Sequence, residues 1–212
     1  RSIHVINAID GEKGSNWVAT NNLCAFASRL LFAAAEESLL FGGLGALLFK
    51  AAITTGEGRN ANPGDEGLCY TGRVEWMPMG TFTNEGDYFE GDLEREPKPK
   101  VSLAAGYSTN QHARRAGGQL GEFFPGTEGR TLNEFIADAL FKYKGTAFTT
   151  EFCQREVDGD PFVTEEQGTV KAYEGWGLNA QLSRMVGKKG FEVVGRYSLI
   201  MPSDRISEVE TQ

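Results

Sequence analysis

The sequence has few of the residues that build metal and catalytic sites. It contains only two histidines, His4 and His112, which are far apart, so a histidine-based metal site is not expected. The three cysteines, Cys24, Cys69 and Cys153, form no CxxC pair, and an odd number leaves at least one thiol free. No serine, histidine and aspartate can be combined into a nucleophilic triad. The sequence therefore predicts no metal, no cofactor and no enzymatic activity.

Long uncharged hydrophobic runs are also missing. The most apolar stretch, residues 23–49, is interrupted by Arg29, Glu36 and Glu37. Burying three charges in a bilayer is costly, which disfavours a single transmembrane helix. The net charge of -8 argues against nucleic acid as a partner. Disorder is disfavoured too, because 40% of the residues are hydrophobic.

The chain begins at Arg1, without methionine or a basic-then-apolar leader, and its last ten residues are polar and acidic. We therefore expect it to be part of a longer polypeptide. Residues 1–212 are interpreted as a single domain that is incomplete at both ends. The pattern leaves the conformation of residues 16–46 open between an amphipathic helix and two irregular strands.

Period-two alternation is the main pattern that is present, and it is clearest in residues 172–200. Leu178, Leu182, Val193 and Tyr197 alternate with small or polar residues on both sides of a glycine-bounded turn at 187–190. This pattern predicts a β-hairpin. Its arms of roughly ten residues exceed the usual five or six and match the length that crosses a membrane as a barrel strand.

The same alternation predicts further strands along the chain, at 47–53, 68–76, 101–107, 135–143 and 148–155. Long polar loops follow Ile53, Tyr107 and Arg155, whereas tight turns are predicted at Lys144-Gly145 and at 187–190. Long loops at one end and short turns at the other are typical of outer-membrane barrels. The exception is the charged link 81–100, which falls at the short-turn end by this count.

Five phrases of the sequence carry a resemblance to a known family. Those at 56–60 (GEGRN), 72–76 (GRVEW), 87–94 (DYFEGDLE), 138–145 (DALFKYKG) and 194–197 (VGRY) resemble the phosphate-selective porin O and P family, especially its Bacteroidetes-type members. The resemblance covers roughly residues 50–206. It implies an all-β fold, an antiparallel transmembrane β-barrel of about sixteen strands. This chain would supply about half or more of it. It also implies a bacterial outer-membrane location and a passive channel for small anions such as phosphate.

An anion channel needs cationic side chains facing its lumen. If the apolar series faces lipid, the opposite series faces the lumen and contains six predicted anion contacts: Lys50, Arg73, Lys142, Lys144, Arg155 and Arg196. Carboxylates share this face, at Glu75, Asp138, Glu151 and Glu192, so cross-strand salt bridges are the competing interpretation. Aromatic residues on the other series are predicted to form membrane girdles, at Trp76, Tyr107, Tyr143, Trp176 and Tyr197.

Two other functions fit the same pattern. The barrel could be a structural subunit of a larger envelope assembly, or a soluble β-barrel that binds an apolar ligand inside. The soluble barrel is distinguished from a membrane barrel by the direction of five side chains. A membrane barrel points them outward and a soluble barrel points them into its core: Tyr70, Val74, Phe141, Leu178 and Tyr197. The predicted partners are small anions and outer-membrane lipid, and assembly into a homotrimer or a larger complex is left open.

Overall fold

The computed structural model describes residues 6–9, 16–19, 31–41, 45–54, 56, 67–166, 168–187 and 190–207. Eight antiparallel strands form the main sheet. They are β3 (Leu31–Phe41), β4 (Gly45–Thr54), β5 (Cys69–Met77), β6 (Lys100–Ala113), β7 (Arg130–Tyr143), β8 (Thr146–Val157), β11 (Gly175–Val186) and β12 (Phe191–Pro202). Their spatial order is β3-β4-β5-β6-β7-β8-β11-β12. Two short hairpins pair β1 (Ile6–Ile9) with β2 (Asn16–Ala19), and β9 (Phe162–Glu165) with β10 (Gly168–Lys171).

Helical structure in the described ranges is limited to a 3-10 segment, Thr83–Tyr88, and a single turn of helix, α1 (Asp204–Ser207). No described helix has the length and apolar character needed to cross a membrane. The prediction of an all-β chain is confirmed.

The hairpin predicted for residues 172–200 is present as β11 and β12. It is in register from Gly175 opposite Pro202 to Val186 opposite Phe191. Its first arm begins at Gly175, later than predicted, because Ala172 lies in the preceding loop and is fully buried there. Lys188 and Lys189 of the predicted turn lie outside the described residues.

The connections differ strongly in length between the two ends of the sheet. At one end, the long-loop end, β4 and β5 are separated by 14 residues of sequence, β6 and β7 by 16, and β8 and β11 by 17. At the other, the short-turn end, β7 and β8 are joined by Lys144-Gly145 alone, and β11 and β12 by residues 187–190. The predicted exception is also found here, since residues 78–99 join β5 to β6 at the short-turn end.

Two small apolar clusters stabilise the ends of the sheet. At the long-loop end, the clustered side chains are Ala113, Ala116, Phe124, Leu132, Val157, Val163 and Ala172. At the short-turn end, Phe82 packs with Ala46, Met77 and Leu140. Among the described strands β3 and β12 are the edges, so the sheet is open and a closed barrel is not shown.

Candidate functional site: the polar face of the sheet

The register of the sheet assigns every described strand residue from β4 to β12 to one of two faces. Directly opposed residues point to the same side, so one row can be followed from Phe49 through Val74, Ala105, Ala137, Phe152 and Leu178 to Leu199. The neighbouring row runs from Lys50 through Arg73 to Cys153 and Ile200 and points to the other side. We call the first side the apolar face and the second the polar face.

The apolar face is exposed. Tyr70, Val74, Phe141 and Tyr197 all lie on it, and Tyr197 is 61% exposed. Leu178 lies on the same face and is half-buried. The aromatic rings contact one another across strands, because Phe152 lies 6.5 Å from Phe135 and 6.1 Å from Trp176 between ring centroids. An exposed apolar surface that extends over a whole sheet marks a site of contact with lipid or protein.

The predicted girdle residues also lie on this face, at different heights. Trp76 and Tyr143 are at the short-turn end, and Trp176 is at the long-loop end. Tyr107 and Tyr197 lie nearer the middle of their strands. An open hollow of about 500 Å³ lies beside Tyr107, where Gly72, Ala51 and Ala105 leave space between larger side chains.

The polar face, in contrast, is largely buried from β4 to β11, more exposed on β12, and carries charged side chains. Arg73 of β5 is 8% exposed, and its Nη1 lies 2.5 Å from Oδ2 of Asp138 on β7. Its Nη2 lies 4.0 Å from Oε2 of Glu75. Glu75 in turn accepts a hydrogen bond of 2.5 Å from the Ser102 hydroxyl. The Arg73 guanidinium is therefore hydrogen-bonded to Asp138 and lies at ion-pair distance from Glu75.

Arg155 and Arg196 have similar ion pairs. Nη2 of Arg155 lies 3.3 Å from Oε2 of Glu134, its cross-strand neighbour on β7. Arg196 donates from Nε to Gln181 and from Nη2 to Glu90, each at 2.8 Å. Glu90 belongs to the link between β5 and β6, which sequence reasoning did not include in the site.

The three predicted lysines have different surroundings. Lys142 is 2% exposed, and its ammonium donates to the carbonyl oxygens of Gly86 and Gly91 at 2.7 and 2.5 Å. Lys50 lies on the polar face in register with Arg73. Lys144 occupies the turn, with its Nζ 5.0 Å from the ring centroid of Tyr143.

The structure thus brings five of the six predicted cations to one face but places anions or carbonyl oxygens against most of them. Glu151 also lies on this face, directly opposite Asp138 on β7. Sequence reasoning placed Asp138 and Glu151 on this face from their alternation but did not name Glu134. It missed Glu90, for which the only sequence feature was an acidic link at an end of the sheet where short turns are expected.

The polar face does not resemble a metal or thiol site. No group of three or more His, Cys, Asp or Glu side chains within the described ranges is arranged to hold a metal ion. Cys69 and Cys153 are free thiols. Cys69 lies 3.2 Å from the Ser108 hydroxyl, inside a row of small polar side chains. His4 and Cys24 lie outside the described residues.

No protein-family model, curated protein or solved structure matches the chain. The resemblance of the five phrases to the porin family therefore remains a prediction, and the function has to be argued from the two faces of the sheet.

Proposed function

We propose that this chain forms part of the wall of a porin-like β-barrel in the bacterial outer membrane, where it acts as a passive channel for small ions. One observation carries this proposal: a meander of long strands exposes an apolar face and buries a charged one. A soluble β-barrel has the opposite arrangement, with apolar side chains inside. The alternative of a soluble barrel that binds an apolar ligand is therefore disfavoured.

The length of the strands supports the same proposal. A membrane-crossing strand needs roughly nine to eleven residues. The seven strands from β4 to β12 in the main sheet each contain at least nine residues, from β5 with 9 to β6 and β7 with 14. Open edges at β3 and β12 would be costly in lipid. We propose that further strands complete the wall, as the barrel implied by the resemblance requires.

A preference for small anions such as phosphate is the finer proposal, and it rests on the resemblance. Fixed positive charge in a lumen attracts anions by replacing part of their hydration. On this polar face the guanidinium groups of Arg73, Arg155 and Arg196 each lie against a carboxylate, which lowers the net positive charge. Their pairing favours salt bridges within the wall over an anion-attracting ladder.

Single-channel recording of the full-length protein in planar lipid bilayers tests the proposed function. We expect stepwise conductance increments in potassium chloride after insertion. Absence of both lipid insertion and conductance would contradict the channel. Replacing Arg73 and Arg196 by glutamine tests the anion preference, because an unchanged zero-current potential in a salt gradient would exclude a role for these charges in attracting anions.

A further inference from the structure

Residues 78–99, which we call the inner segment, lie against the polar face. Phe82 is 5% exposed and packs on Ala46, Met77 and Leu140, which come from β4, β5 and β7. By the register, all three wall residues point to the polar side. The inner segment therefore begins on the side of the sheet that would face the interior of a barrel. The connections at this end of a membrane barrel are normally short turns.

Buried charged groups fix the middle of the inner segment. The Lys142 ammonium of the wall binds its carbonyl oxygens at Gly86 and Gly91. Asp92, which is 1% exposed, accepts hydrogen bonds from the amides of Gly145 at 2.6 Å and Glu96 at 3.0 Å. Charge-assisted hydrogen bonds of this kind are stronger than neutral ones. The contacts hold the segment to the β7–β8 turn.

The inner segment also contacts the far side of the sheet. Glu90 accepts hydrogen bonds from Gln181 on β11 and from Arg196 on β12, both at 2.8 Å. A side chain at Gly91 would meet the carboxylate of Glu192, also on β12. The segment thus crosses the polar face from β5 to β12.

The backbone of the inner segment supports a fixed course. Asn84, Glu85 and Arg95 have φ of 48, 55 and 52°, in the left-handed region. Such conformations are unfavourable for glutamate and arginine and persist when surrounding contacts determine them. Here the contacts of Glu96 provide this, because its carboxylate accepts a hydrogen bond of 2.6 Å from the Thr83 amide.

We propose that the inner segment is the constriction of the channel and that Glu90, paired there with Arg196 and Gln181, weakens the attraction of this point for anions. This inference rests on the proposed function, since the polar face must line a lumen. Glu90 offsets the charge of Arg196. Asp138 on the same face offsets the charge of Arg73 in the same way. A carboxylate paired with a cation at a narrow point leaves less fixed positive charge to attract anions.

The position of the segment can be tested without any conductance. In a full chain whose three cysteines are replaced by serine, the pair Glu90→Cys and Arg196→Cys should be joined by a short bifunctional thiol reagent. The control pair Glu94→Cys and Arg196→Cys should react far less, because Glu94 is exposed on the same segment, whereas Glu90 is hydrogen-bonded to Arg196. Equal cross-linking of both pairs, or of neither, overturns the proposal.

The selectivity is tested by single-channel recording of Glu90→Gln beside Glu94→Gln. Both variants remove one negative charge from the inner segment, but only the first releases Arg196. We expect the cation-to-anion permeability ratio to fall by about twofold or more in Glu90→Gln and to change little in Glu94→Gln. Equal effects of both variants, or an unchanged ratio in Glu90→Gln, contradict this role of Glu90.

The two experiments separate this inference from the proposed function. If the wild-type protein forms no channel but the Glu90–Arg196 pair cross-links, the proposed function fails and the constriction fails with it, while the position of the segment stands. If the protein conducts but the two cysteines do not cross-link, the channel stands and the constriction is rejected.

Discussion

At the scale of single residues, the charged groups of the polar face are arranged in pairs across strands. The alternation in the sequence was sufficient to place Arg73, Asp138 and Arg155 on one face. It could not identify their partners, because Arg73 and Asp138 are 65 positions apart and come together only through the order of β5, β6 and β7. Glu90 was beyond reach for the same reason.

The Arg73–Asp138 pair provides a test of this arrangement. Removing one partner of a buried ion pair leaves an uncompensated charge and is strongly destabilising. We expect Asp138→Asn to lower the free energy of unfolding by about 2 kcal/mol or more, with the nearby Glu75 limiting the loss. Urea titration of the refolded protein in micelles measures this effect.

Glu128→Gln is the matched control, since it also neutralises one carboxylate of an ion pair. Glu128 lies 3.0 Å from Arg130, but its side chain is 59% exposed. An exposed pair contributes less than about 1 kcal/mol. If the two variants have the same stability, the Arg73–Asp138 pair is not the buried contact that the structure describes.

At the scale of elements, turns and strands were largely predictable from the sequence, whereas the packing of loops was not. The Lys144-Gly145 turn follows from a glycine between two alternating runs. Ala172 was assigned to a strand by its parity, but it is buried in a loop cluster with Val163 and Phe124. The β9–β10 hairpin was missed inside a polar loop because its four-residue strands are too short to show a period.

The β7–β8 turn gives the second prediction. Gly145 has φ of 82°, and an added Cβ would lie 3.2 Å from both Arg95 and Met185. Gly145→Ala should therefore lower the free energy of unfolding by about 1 to 2 kcal/mol, because alanine is unfavourable in the left-handed region. Steric strain from the two close contacts should lower it further. Gly159→Ala is the control, because Gly159 has φ of 83° and no neighbour within 4 Å of that position.

Urea titration of both variants separates the two contributions. Gly159→Ala should lower the free energy of unfolding only by the cost of the left-handed conformation, and Gly145→Ala should lower it measurably more. An equal loss would show that the turn has room for a side chain, and that the inner segment does not approach it through Arg95.

At the scale of the whole molecule, the sheet has an exposed apolar face and a charged face that the inner segment covers in part. The two faces were predictable, because period two assigns each side chain of a regular strand to one side. Which face the inner segment covers was not predictable, since the link 81–100 has no period and its course depends on contacts with β7, β11 and β12. The open edges at β3 and β12 likewise follow from pairing between distant strands, and no local pattern specifies them.

The proposed membrane environment predicts a dependence on depth that an aqueous environment does not. Leu182 on the apolar face is 57% exposed, and Val186, four positions further along β11, ends the strand and is 46% exposed. In lipid, arginine costs about 2 to 4 kcal/mol near the midplane and 0 to 1 kcal/mol near the interface. Leu182→Arg should therefore reduce folding into vesicles more than Val186→Arg does. In water both substitutions on an exposed surface should change stability by less than about 0.5 kcal/mol.

Folding yield against urea concentration, measured with and without vesicles, distinguishes the two cases. Equal, small effects of both variants in vesicles would mean that the apolar face does not contact lipid, and would require a protein partner to cover it instead.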